Sequence, residues 1–147
     1  MKRYIISNID IAASPIKILD ALLDMEALKA WWGVDSVLIE KKDGGLYCLT
    51  WLKSEHGIKF ISTGRIKLYD RNSHLYLEDM VYINSERPIL GPFNIEFSIT
   101  PALDGYYNLS VKQGGFEKGQ KHAWYYEAVS QGWPEALLML KTYLEKK

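Results

Sequence analysis

The sequence predicts an α+β fold in which a curved antiparallel sheet of six to seven strands wraps a long C-terminal helix, with two short helices after the first strand. Three observations point there. Between Gly33 and Gly114 the chain is punctuated by Asp43-Gly44-Gly45, Glu55-His56-Gly57, Asp70-Arg71-Asn72-Ser73, Asn84 to Pro88 and Asp104-Gly105, turn signals that divide it into six consecutive strands. Connections this short force neighbouring strands to be antiparallel, because a parallel pair needs a crossover of about a dozen residues or more. The C-terminal stretch repeats Tyr126, Val129, Trp133, Leu137, Leu140 and Leu144 at helical spacing.

The elements follow in order. Tyr4 to Ala12 is Ile-rich and alternates loosely, reading as a first strand that stops at Ala13-Ser14-Pro15. Ser14 is a good N-cap and Pro15 a good first helical residue, since Pro lacks the N–H that would go unpaired there. Ile18, Leu22, Met25 and Leu28 then continue at helical spacing to Trp31-Trp32-Gly33. In the fifth strand of the run Phe93, Ile95, Phe97 and Ile99 alternate with polar residues, so one face is buried. The sixth places Leu109, Val111 and Gln113 together on one side. After Gly114-Gly115 the pattern turns helical, and Pro134 with Gly132 predicts a kink inside that helix.

Composition narrows the function classes. The 147 residues contain no linker, repeat or low-complexity tract, which reads as one domain over 1–147. Eighteen Lys+Arg balance eighteen Asp+Glu, so no net field favours nucleic acid or an anionic membrane surface. No apolar stretch is long enough for membrane insertion, and the N-terminus reaches Asn8 and Asp10 before any long apolar run, so a cytoplasmic location is expected. Cys48, the single cysteine, excludes an internal disulfide and reads as a small buried strand residue.

Ala13-Ser14-Pro15, Leu19-Asp20-Ala21-Leu22, Glu26-Ala27-Leu28-Lys29 and Trp31-Trp32-Gly33 together resemble the opening motif of the START-like (SRPBCC, helix-grip) superfamily, in the branch of the heat-shock-protein-90 ATPase activator homologues. The resemblance continues through Gly44-Gly45-Leu46-Tyr47, Gly64, Gly115-Phe116 and Gly132-Trp133, and spans essentially the whole chain. It implies that the first strand pairs with the end of the meander and that the long helix crosses the concave face. The superfamily covers lipid and hormone carriers, polyketide cyclases, oxygenase domains and co-chaperones, so the scaffold leaves the activity open. Three positions depart from the usual pattern: Met25 replaces a frequent Pro, Glu78 a usual aromatic and Gln113 a frequent His.

A helix about 10–12 Å wide cannot fill the hollow of a broad curved sheet, so an apolar cavity is expected between them. Trp51, Phe97 and Tyr126 are candidate wall residues, with plain core packing the simpler account of each, while Trp133 reads as core. Gln113 lies on a buried face and needs a partner: a protein group, a water or the ligand. Glu78 and Asp79 are adjacent in a strand, so one at most enters the cavity; a buried Glu78 would resist ionisation and serve as a general base, and a solvent-facing or salt-bridged Glu78 would not. His56 and His74 read as exposed loop histidines and His122 as a candidate for the cavity mouth. No metal-ligand spacing or nucleophile motif is present, and no cofactor is expected.

These readings favour a binding protein for a small apolar or lipid-like molecule. A cyclase or hydro-lyase with a carboxylate base is the alternative. An activator-like interaction module is the third, and stimulation of the chaperone ATPase is not expected, since one domain takes up the chain and leaves no room for the client-contact domain of the eukaryotic activators. Assembly as a homodimer stays open.

Overall fold

The chain runs β1 (Lys2–Ile11), α1 (Pro15–Leu23), α2 (Met25–Trp32), β2 (Ser36–Ile39), β3 (Leu46–Ser54), β4 (Gly57–Asp70), β5 (His74–Asn84), β6 (Leu90–Pro101), β7 (Tyr107–Glu117) and α3 (Gln120–Glu145) in the computed structural model, which describes residues 2–55, 57–84, 86–117 and 120–146. The strands form one antiparallel seven-stranded sheet in the order β1-β7-β6-β5-β4-β3-β2. The meander is thus sequential, and β1 closes it against β7, with Ile5 opposite Gln113 and Ile9 opposite Leu109.

The local signals behave as their chemistry dictates. Ser14 caps α1, its Oγ accepting from the Lys17 amide at 3.3 Å, with Pro15 in the first turn. Gly33 ends α2 in the left-handed conformation (φ 72°), where a side chain would be strained. The helical pattern begins later than Gly114-Gly115, because β7 runs on to Glu117. Gly115 (φ 103°) is the extra residue of a bulge: Arg3 faces Phe116 while Tyr4 faces Gly114. The bulge returns Phe116 to the inside, where it is fully buried. At the far end α3 is a single helix from Gln120 to Glu145 with Pro134 within it.

The core lies between the concave face of the sheet and the three helices. Phe93, Phe97, Leu75, Leu77, Leu109 and Val111 supply the sheet side, Leu19, Leu22 and Leu28 the short helices, and Leu137 and Leu140 the long one. Two indole and phenol groups pin the short helices from inside: Trp31 Nε1 donates to the Ala21 carbonyl at 2.7 Å, and Tyr47 Oη to the Leu22 carbonyl at 2.8 Å. Burial pushes the Tyr47 phenol far above its ordinary value, which keeps it a neutral donor.

Candidate functional site

Between the sheet and α3 lies a cavity of about 350 Å³. The alternation of each strand decides what reaches it. From β3 come Tyr47, Leu49 and Trp51, from β4 Phe60 and Ser62, from β5 Leu77, Met80 and Tyr82, from β6 Ile95 and Phe97, and from β7 Gln113. The helices add Trp32, and from α3 Trp124, Tyr125, Ala128, Val129, Gly132, Trp133 and Ala136. Ala128, Gly132 and Ala136 recur every four residues, so the helix presents a stripe of small side chains to the sheet. That stripe accounts for the unfilled space: large residues there would close it.

Aromatic rings form the walls. Trp32 meets Trp51 edge-on with centroids 5.3 Å apart and Trp133 at 5.8 Å, and Trp133 meets Phe97 edge-on at 5.7 Å. On the other side Tyr82 stacks on Tyr125 at 4.7 Å and neighbours Phe60 and Trp124 at 6.1 and 6.5 Å. Gln113, only 3% exposed, accepts from Trp133 Nε1 at 2.9 Å. It also hydrogen-bonds the Tyr125 hydroxyl; burial raises that phenol well above its usual range, and the amide contact opposes the rise. The described lining contains no Asp, Glu, Lys, Arg or His. Such a site can hold an apolar body and orient it by a few neutral polar atoms.

The candidates from sequence separate into two groups. Trp51, Phe97 and Gln113 line the cavity, as does Trp133, which the sequence assigned to the core. Glu78 and Tyr126 do not. Asp79 adopts a left-handed backbone (φ 55°) in a bulge where the register shifts between Leu77 and Met80, so the simple alternation of Glu78 and Asp79 fails. Glu78 shares the outer face with Tyr76 and lies 3.9 Å from Lys67. The enzymatic alternative thereby lacks the base it relied on. Tyr126 packs edge-on to Phe116 at 5.2 Å with the Arg3 guanidinium 4.0 Å from its ring, and Tyr125 takes the inward place. Gln113 finds its partners within the protein.

Cys48 is half-buried, not buried, because Tyr47 and Leu49 on either side face inward. His74 is the first residue of β5 rather than an exposed loop residue, its Nε2 2.8 Å from Glu96 on the neighbouring strand. His56 and the side chain of His122 lie outside the described residues. Among the described residues, no three His, Cys, Asp or Glu side chains come together as a metal site would need, and no helix is long and apolar enough to cross a membrane.

Residues 12–145 match the family described as activator of Hsp90 ATPase homolog 1-like protein. The chain belongs to this family. Solved structures of similar fold include the Aha1 dimer from Colwellia psychrerythraea, 18% identical with a TM-score of 0.73 over 98% of this chain and 97% of that one. Protein CV1439 from Chromobacterium violaceum is 22% identical, with a TM-score of 0.73 over 98% of each chain. DynU16, a protein in the dynemicin biosynthetic locus, is 12% identical with a TM-score of 0.76 over 97% of this chain and 47% of its own. Identities this low speak for the fold. No curated protein matches the chain.

Proposed function

We propose that the protein binds a small apolar or lipid-like molecule in the cavity between the sheet and α3. The observation that carries this reading is the combination of about 350 Å³ of space with a wall of Trp, Tyr and Phe rings and no charged lining residue among those described. Pockets for small ligands are typically of this kind, mostly apolar with a few convergent polar groups, and this volume falls at the lower end of their range of about 300–1,000 Å³. The Ser62 hydroxyl, the Tyr82 phenol and the hydrogen-bonding capacity that Gln113 keeps beyond its contacts to Trp133 and Tyr125 are polar groups that can orient a ligand. A place for DynU16 in a biosynthetic locus is consistent with the same scaffold serving small molecules.

Burying about 200 Å² of ligand surface contributes roughly 5 kcal/mol before the entropy of association is subtracted, so a non-cognate probe should bind no tighter than about micromolar. Native mass spectrometry of freshly purified protein, followed by titration of an environment-sensitive apolar dye, tests the reading. A co-purifying small molecule, or one saturable dye site whose occupancy changes tryptophan emission, supports it. Protein that is free of ligand and binds no apolar probe would sink it. The dimeric state of the Colwellia protein makes a homodimer part of the proposal, to be read from light scattering.

A further inference from the structure

Trp124 lines the cavity from α3, and its ring also carries a cation: the Arg87 guanidinium carbon lies 4.2 Å from the ring centroid. Arg87 belongs to the β5–β6 connection and is exposed, so it sits on the rim rather than in the wall. Its backbone is fixed by a turn in which the Arg87 amide donates to the Asn84 carbonyl at 3.0 Å and the Glu86 amide to Asn84 Oδ1 at 2.9 Å. A second cation stands nearby on β4. Lys59 has its ammonium 5.4 Å from the ring of Phe60, another lining residue, and 3.8 Å from Glu86. Lys59 and Glu86 offset one another, so among the described residues of this part of the rim Arg87 contributes the positive charge.

We propose that the ligand is an anionic amphiphile, its apolar body among the aromatic walls and a carboxylate head held at the rim by Arg87. The inference rests on the cavity-binding reading and adds the ligand's charge and direction. A guanidinium held over the Trp124 ring by its charge can still direct N–H donors to a carboxylate in a two-pronged contact. The described lining residues offer no counter-charge, so an ionised head is unfavourable among them and the body enters first. Orientation thus follows from chemistry at two ends of one hollow.

Calorimetric titration of decanoate and decanol at pH 8 and low salt, below their aggregation limits, distinguishes the possibilities. Wild-type protein should bind decanoate about two- to fivefold tighter than decanol, the range for an exposed charge pair, and added salt should erode that advantage. Arg87→Gln should bring the decanoate-to-decanol ratio to about one, and Arg87→Lys should restore part of it. Equal affinities in the wild type, or a ratio that survives Arg87→Gln, would overturn the rim assignment while leaving the cavity reading intact. Binding of neither compound would overturn both.

Discussion

Trp133 Nε1 donates to Gln113 Oε1 at 2.9 Å, joining α3 to β7 across the inner wall of the cavity. Because Gln113 also contacts the Tyr125 hydroxyl, one amide fixes two aromatic walls at once.

Gln113→Leu should therefore cost stability as well as change ligand preference. The substitution strands the Trp133 N–H and removes the Tyr125 contact in a site shielded from water, a loss of about 1–3 kcal/mol. Urea unfolding measures it directly. A double-mutant cycle of Gln113→Leu with Trp133→Phe should show coupling of at least about 0.5 kcal/mol, since the second change removes the stranded donor. Simple additivity would contradict a shared hydrogen bond.

Two glycines should respond in opposite directions to the same substitution. A Cβ at Gly64 would sit 2.8 Å from the Glu78 carbonyl oxygen and collide with Met80, whereas a Cβ at Gly132 meets nothing within 4 Å. Gly132→Ala should raise stability by about 0.5–1 kcal/mol, the usual gain in a helix interior. Gly64→Ala should lower it, because backbone must move. Thermal melts of the two variants that shifted the same way would contradict the placement of these residues.

The C-terminal end of α3 should contribute a pH-dependent increment. Glu145 Oε2 accepts from Lys141 Nζ at 2.7 Å and from the Ala12 amide at 2.8 Å. Chiefly the Lys141 hydrogen bond, and next that from Ala12, lower its carboxyl from the ordinary value of 4.5. A carboxyl depressed in the folded state contributes stability that is fully present above about 4.5 and is lost as the pH falls through its lower folded value. Glu145→Gln should flatten that part of the profile. Urea midpoints at pH 6 and pH 3 for both proteins give the comparison, and an identical acid-side loss in the variant would rule the contact out as its source.

The order of elements was legible because its signals are local: Ser14-Pro15 opens α1, Gly33 closes α2, and each turn cluster ends a strand. The candidate site was legible only in part. Trp51, Phe97 and Gln113 follow from plain alternation on regular strands, and alternation from the buried Leu75 and Leu77 also turns Glu78 outward. What it cannot anticipate is the bulge at Asp79, which keeps that carboxylate out as well and turns Met80 inward. On α3 the large residues Tyr126, Val129, Trp133 and Leu137 mark the face packed on the core. The cavity is set instead by what is small. Ala128, Gly132 and Ala136 at four-residue spacing were the available signal, and they rotate the inward face toward Tyr125.

The claim that the space under α3 is a binding site is tested most directly by closing it from the helix. Gly132→Leu directs a bulky side chain from a position with open space around it into the cavity. The measurement is a titration of wild type and variant with the uncharged dye N-phenyl-1-naphthylamine, alongside circular dichroism and melting to establish that both are folded. The expected result is saturable binding to the wild type and at least about a tenfold weaker affinity in the folded variant. Equal affinity in the two folded proteins would place the dye elsewhere and contradict the cavity as the site of function.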